Sequence, residues 1–523
     1  METRAAVKLA QDILLDHFGD VTGQVGAVLL ERGPLTFSNI MRFLSQGKRH
    51  FTDEIPKFPQ VRNALLSMVQ HNIVTAKPDE HIKVELGDVV PHIYTIHIRE
   101  VLSRCRFPHF VELVWHVVSP EASHLLLTIF KHGRVHLSVA VAESLEHPQL
   151  KGKTTHQEML DEIQDLSGQG FVCPVAPFVD DTSLAPPERP DPTAGTAAGT
   201  SEDVKTAVGE DGAPDAKRVK LDSEVRSATR HDPVYRVNTG ALNFQLCKYM
   251  LVRVIEERLG QLAAEVLYIL VIRGIAMSED GRATSHFVPE STLIEVWKQN
   301  FHEEGRDPAR EQEGLIKALV MLEQDKSGFV RKRVVQSQQR GSMREDKEWV
   351  AEWTKASEVL SGVVRSQLLR DRFGEMGLRI FNLLNESTPP QKLEENEIFH
   401  VCMVPQTEGR EMLNAMVKSH FLNWQEVAKS AAGTVPTLLA SYWLYYVDRQ
   451  QVQETLQQIA FKALLNLRIR YRVECAKTPA LDSRRATLST EETRRLKVLE
   501  IREDLLERSF LLLNSVLLGL ECV

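Results

Sequence analysis

The chain has 523 residues, 43% hydrophobic and 26% charged, with 63 basic against 71 acidic side chains and a net charge of -8. That length exceeds one hydrophobic core and points to three to five domains, and the composition is that of a soluble globular protein. The acidic balance excludes a protein that coats nucleic acid with a broadly basic surface, so any such contact has to be local or shared within an assembly.

Six cysteines, Cys105, Cys173, Cys247, Cys402, Cys475 and Cys522, are scattered and form no C-x-x-C pair. This spacing suits neither a zinc site nor a dense disulfide framework, and buried free thiols in a reducing compartment are expected. The opening METRAAVKLAQDILLDHFGD carries charges throughout and reads as no signal peptide. No uncharged apolar run of about 18 residues occurs, and the terminal FLLLNSVLLGLECV is too short to span a bilayer, so no membrane partner is expected.

In chain order, Val7, Ala10, Leu14 and Phe18 fall on one helical stripe. A helix, a Gly33-Pro34 break, an extended LTF and a helix capped by Ser38 follow. PQVRNALLSMVQHNIV predicts a third helix with Val61, Leu65, Met68 and Val69 inward, leading into two short strands in IVTAKPDEHIKVEL. Helix, short strand, helix, helix, hairpin is the order of a winged helix-turn-helix. The order recurs in PEASHLLLTIFKHGRVHLS with TTHQEMLDEIQDL and GFVCPVAPF. It recurs again from LGQLAAEVLYILVIRGI to GFVRKRVVQSQQRGSMREDKEWV, and a fourth time from LLRDRFGEMGLRIFNLLNE to TLLASYWLYYV.

Between the second and third units the aromatic-free DDTSLAPPERPDPTAGTAAGTSEDVKTAVGEDGAPDAKRVKLDSE cannot bury enough apolar surface to fold and is expected to be disordered. From Asp448 two long helical patterns follow, the second with Leu496, Leu499, Leu506, Phe510, Leu513, Leu517 and Leu520 on alternating three- and four-residue steps broken by Glu503. The expected fold is mainly α with small β wings: four tandem winged-helix domains plus a C-terminal helical (coiled-coil) hairpin that closes on the fourth unit. The boundaries are winged helices at 1–90, 91–180, 237–355 and 356–447, a linker at 181–236 and the hairpin at 448–523.

Catalytic chemistry is not legible. Gly152-Lys153-Thr154 matches the end of a phosphate loop, but His147 stands where its first glycine belongs, and neither H-E-x-x-H nor G-x-S-x-G occurs. No catalytic, metal or cofactor-binding residue is assigned, and a binding protein is expected. In a winged helix the third helix enters a groove while the wing touches backbone, so local DNA contacts fall on Lys57 and Arg62 in the first unit and Lys151 and Lys153 in the second. Arg331, Lys332 and Arg333 begin the third unit's hairpin, with Arg340 and Arg344 near its tip.

The runs RFGEMGLRIFNLL, VCMVPQTEGREMLNAMVKSHFLNWQEV and YWLYYVDRQQVQETLQQIAFKALLNLRIRY, with the opening LAQDILLDHFGDVTGQVGAVLLERGPLTFSNI, resemble the tandem winged-helix subunit family specific to RNA polymerase III. The resemblance implies a non-catalytic member of an initiation heterotrimer, set with two partner subunits on the RNA polymerase III clamp. There it would contact promoter-bound initiation factors and DNA and help open the strands. A nuclear protein needs an import route, and Lys217, Arg218, Val219 and Lys220 read as a nuclear localisation signal. The alternative reading is a free-standing winged-helix scaffold for proteins, without nucleic-acid contact.

Overall fold

The computed structural model describes residues 3–46, 56–79, 91–175, 232–277, 283–301, 308–339, 342–386, 391–428, 441–479, 484–485 and 489–522. Two compact units result, one from Met1–Leu113 with Thr239–Val523 and one from Val114–Asn238.

The first unit opens with α1 (Arg4–Phe18), whose Thr3 hydroxyl accepts from the Ala6 N–H and whose Leu9, Ala10, Ile13 and Leu14 are buried. The first winged helix follows: α2 (Asp20–Arg32), β1 (Leu35–Thr36), α3 (Phe37–Gln46), α4 (Phe58–Gln70), β2 (Val74–Pro78) and β3 (His92–Ile96). Ser38, the expected cap, lies inside α3, which starts one residue earlier. After it come α5 (Ile98–Ser103), a 3-10 turn at Arg104–Arg106 and α6 (Phe107–Val117).

The second unit is α7 (Pro120–His132), β4 (Arg134–His136), α8 (Leu137–Leu145), α9 (His156–Gly168), β5 (Val172–Val175) and β6 (Val234–Val237).

The chain then returns to the first unit with α10 (Thr239–Leu259), α11 (Gln261–Gly274), a small hairpin of β7 (Ile275–Met277) and β8 (Ala283–Ser285), and β9 (Val288–Pro289). α12 (Glu290–Phe301), α13 (Pro308–Gln324), β10 (Val330–Gln339) and β11 (Ser342–Ala351) complete the third winged helix. The fourth uses the second half of α14 (Trp353–Asn385), β12 (Leu393–Glu394), α15 (Glu395–Cys402), α16 (Gln406–Lys418), β13 (Asn423–Ala428) and β14 (Ser441–Tyr446). The terminal hairpin is α17 (Arg449–Cys475) and α18 (Thr490–Glu521).

One local device repeats four times. After each third helix the chain turns through a left-handed residue, Asn72, Gly170, Gly328 or His420. The next side chain, Ile73, Phe171, Phe329 or Phe421, is driven into the core. In three of the turns that residue's N–H reaches back to the helix, Ile73 to Met68, Phe171 to Leu166 and Phe421 to Met416, at 2.9–3.0 Å. This closes the helix with the six-to-one bond of a Schellman turn. Every wing sheet then has the same order, short strand, last strand, middle strand: β1-β3-β2, β4-β6-β5, β9-β11-β10 and β12-β14-β13.

Two boundaries and one packing arrangement differ from the expected ones. The first wing closes with His92–Ile96 rather than the HIKVEL segment, which lies outside the described residues, so that domain extends past residue 90. The second wing takes its central strand from Val234–Val237, on the far side of the linker, so the boundary at 236 cuts a strand. The physical reason is edge satisfaction: β6 bonds both neighbours, Val172↔Val237 on one side and Val135↔Tyr235 on the other. The acidic stretch is thus, in sequence, an insertion within a wing. The third difference concerns the hairpin. Val452, Leu456 and Leu520 join the fourth winged helix's core beside Phe381, Ile398 and Phe421. Ala460, Phe461, Leu464 and Leu517 join the first one's core beside Leu9, Ile13 and Val101, with Phe510 and Leu513 packed on that side. The hairpin is therefore shared by two cores instead of closing one.

Cys247 on α10 and Cys522 at the end of α18 are joined, which corrects the expectation of free thiols for this pair; Cys105, Cys173, Cys402 and Cys475 are free. Residues 275 apart in sequence meet because α18 packs along α10. No helix of the described residues is long and apolar enough to cross a membrane.

Candidate nucleic-acid interface

The first winged helix presents its third helix with one sign of charge. α4 contains Arg62 and no acidic residue, and Arg62 and the neighbouring Asn63 are exposed. Lys57, also exposed, stands at its N-terminus, where its backbone N–H donates to Gln60 Oε1 at 2.8 Å. Phe58 and Leu66 are exposed on the same helix, and the Phe58 ring meets Phe37 edge-on at 4.7 Å.

The second winged helix differs. Lys151 and Lys153 are exposed in the turn before α9, but α9 itself carries Glu158, Asp161, Glu162 and Asp165 and no Lys or Arg. Thr155 and Glu158 form a reciprocal cap: Thr155 N–H donates to Glu158 Oε2 at 2.8 Å, and Glu158 N–H to Thr155 Oγ1 at 3.3 Å. Acid in the first turn suits the helix dipole, yet a face of carboxylates repels a phosphate backbone.

In the third wing, the basic strand is already partnered. Arg331 meets Glu352 at 2.7 Å, Lys332 lies 3.9 Å from Glu323 with its ammonium 5.7 Å from the Trp349 ring centroid, and Arg333 meets Glu348 at 2.5 Å while stacking 4.0 Å from Phe287. Strand alternation puts Arg331 and Arg333 on one face and Lys332 on the other. Arg344 sits on β11 opposite Ser337, away from these three. Arg340 and the Lys217, Arg218, Val219, Lys220 cluster lie outside the described residues.

Folding also creates an aromatic surface on the fourth wing that the residue pattern does not announce. Trp424 and Trp443 are diagonal neighbours on one face, both exposed, with ring centroids 4.3 Å apart. On the other face Lys392 donates to Gln425 Oε1 at 2.7 Å and lies 5.0 Å from the Tyr446 centroid. Exposed aromatic faces are what unpaired bases stack on, although Glu426, paired with Trp443, disfavours a phosphate there. The available signals are Trp424 in LNWQEV and Trp443 in SYWLYY, each hidden among residues of a strand pattern whose outward face the sequence does not mark.

Repeated third helices, three-stranded wings and differently charged recognition faces define a tandem winged-helix protein. Two family models match it: the RNA polymerase III subunit RPC82 helix-turn-helix domain over residues 8–79, and the C-terminal winged-helix domain of POLR3C over residues 366–447. Relatives named "DNA-directed RNA polymerase III subunit RPC3" agree. That of Bos taurus is 22% identical over 89% of this chain and 84% of its own length, and that of Homo sapiens 23% over 89% and 83%. The Dictyostelium discoideum relative is 30% identical over 26% of this chain and 21% of its own length. The chain is thus similar along most of its length to RPC3 subunits of RNA polymerase III and carries two of the winged-helix domains described for that subunit.

Proposed function

We propose that the chain is a non-catalytic subunit of DNA-directed RNA polymerase III. In this reading it docks on the clamp with two partner subunits, contacts promoter-bound initiation factors, and assists promoter recognition, DNA opening and initiation in the nucleus. The observation that carries it is similarity running over 89% of the chain, which spans the whole series of winged helices and not one reusable module.

Within that role the charge distribution favours a division of labour. α4, with Lys57 and Arg62, supplies local phosphate contacts. The exposed Trp424 and Trp443 pair offers stacking to unpaired bases, and the acidic α9 docks protein. The ion-paired Arg331, Lys332 and Arg333 contribute to DNA only by exchanging their glutamates for phosphate. Lys217, Arg218 and Lys220 serve import. Affinity purification of the tagged full chain from nuclear extract tests the assignment. Stoichiometric co-elution with RNA polymerase III is expected, and recovery free of polymerase subunits would replace it with the scaffold reading.

A further inference from the structure

α18 carries two heptad seams, and only one is used along its whole length. The inner seam, Leu496, Leu499, Glu503, Leu506, Phe510, Leu513, Leu517 and Leu520, faces the rest of the molecule. On the opposite side Arg494, Val498, Ile501, Leu505, Arg508, Leu512, Ser515 and Gly519 follow the same four-three alternation. The last two of these are covered within the chain. Ser515 Oγ lies 3.2 Å from His109 Nε2, and a Cβ on Gly519 would stand 3.5 Å from Val364 and 3.6 Å from Met250, where α14 and α10 pack on the helix. The preceding turns are not covered among the described residues: Val498 is 41%, Ile501 66%, Leu505 62% and Leu512 69% exposed.

We infer that this outer seam is a docking site for an amphipathic α-helix of another polypeptide, one with apolar residues at three-four spacing and acidic residues along its edges. Two observations select that occupant. The seam continues into a face that helices of this chain already cover, so helix-on-helix packing is the geometry it is built for. The charge at its border is cationic. Glu491 is held by Arg495 at 3.6 Å, Glu500 by Arg485 at 2.8 Å and Asp504 by Arg508 at 2.9 Å. That leaves Arg494 and Lys497 with no carboxylate partner among the described residues, and Arg502 only 3.9 Å from Glu474. From Arg494 to Leu512 the seam is about 27 Å long at 1.5 Å per residue, room for five turns of a partner.

The test is site-specific photo-crosslinking of the full chain in cells, with benzoylphenylalanine at position 505 or 512 and, as a control, at the ion-paired position 500. The expected result is an adduct mapped to one segment of another protein with the apolar spacing and acidic edges described, reduced at least about tenfold by Ile501→Asp as for an interface anchor. Ile501 is exposed, so that substitution leaves the fold intact, checked by an unchanged melting curve. Adducts no stronger than at position 500, adducts to a second copy of this chain, or adducts to a segment without that pattern would each overturn the inference. None of these outcomes depends on whether the captured protein belongs to the polymerase, which is read separately from its identity.

Discussion

The first and second winged helices share one fold and differ in everything they show to a partner. α4 is cationic and uncharged otherwise, whereas α9 in the same position of the repeat carries four carboxylates. Their ion pairs differ too. The first is joined to the terminal hairpin by an apolar core and a four-charge network: Arg468 meets Asp12 at 2.7 Å and Asp16 at 2.6 Å, while Arg472 meets Asp12 at 2.6 Å and Asp16 at 2.9 Å. In the second the ion pairs are internal, Glu143 of α8 with Lys131 and His132 of α7. The repeat specifies where a third helix sits, and its solvent-facing residues specify the charge it presents.

The strongest way to break this comparison is Arg468→Ala. It leaves Asp12, mostly buried, with Arg472 as its remaining counter-ion, and loss of about 3 kcal/mol is expected, at the low end for a broken buried pair. The low end applies because the Arg468 Nε–Asp12 Oδ2 approach is a charge contact without an aligned hydrogen bond. Chemical denaturation of the full chain reads it, and Glu143→Gln in the second unit should shift the curve little, its pairs being solvent-exposed.

Phe510→Ala comes next. Phe510 is half-buried against the first winged helix's core, so roughly 2 kcal/mol is expected instead of the 3–5 of a fully buried phenylalanine. Hydrogen exchange should show the loosened amides in α1 and α2, and protection lost only in the fourth winged helix would contradict the shared-core arrangement.

The charge difference is sharpened by paired reversals. Lys57→Glu with Arg62→Glu should lower duplex affinity of the full chain about tenfold at low salt and flatten the log-log salt slope by about 0.9 per contact. Glu158→Lys with Asp161→Lys on α9 should leave affinity equal or higher. Equal losses from both pairs would erase the distinction.

The smallest effect is acid sensitivity of the α1–hairpin joint. Burial and the charges of Arg104 and Arg468 push His17 down to about 4, and its Nδ1 accepts from Arg104 Nε at 3.1 Å, so the folded state keeps the ring neutral. Burial pushes the Asp16 carboxyl up, but hydrogen bonds and charges from Arg472 and Arg468 outweigh it and hold it below the usual range. The unfolded chain therefore binds more protons at both groups. Stability falls as pH drops from about 6.5 toward 4 through His17, and further as Asp16 protonates below that. Both side chains reach solvent, so the melting temperature should drop by a few degrees at most, and His17→Asn should remove the upper part of the slope.

Much of this is written locally in the chain. The fold class, the four repeats and the hairpin seam follow from period and turn chemistry: Gly170 and Gly328 accept left-handed backbone without steric cost, and the large apolar side chain after each turn has only the core to enter. The exposure of Lys57 and Arg62 is readable because a third helix exposes a predictable face. Tertiary structure alone decided the rest, since each such feature depends on residues remote in sequence. PVYRV is too short to declare itself a strand until β4 and β5 offer it two edges. The glutamates that engage Arg331, Lys332 and Arg333 come from α13, from across the hairpin and from beyond its end, so that a basic run in the sequence becomes a set of closed ion pairs in the fold. Cys247 and Cys522, and the two cores that divide the hairpin, likewise exist only because helices far apart in the chain pack side by side: periodicity says which face is buried, never against what.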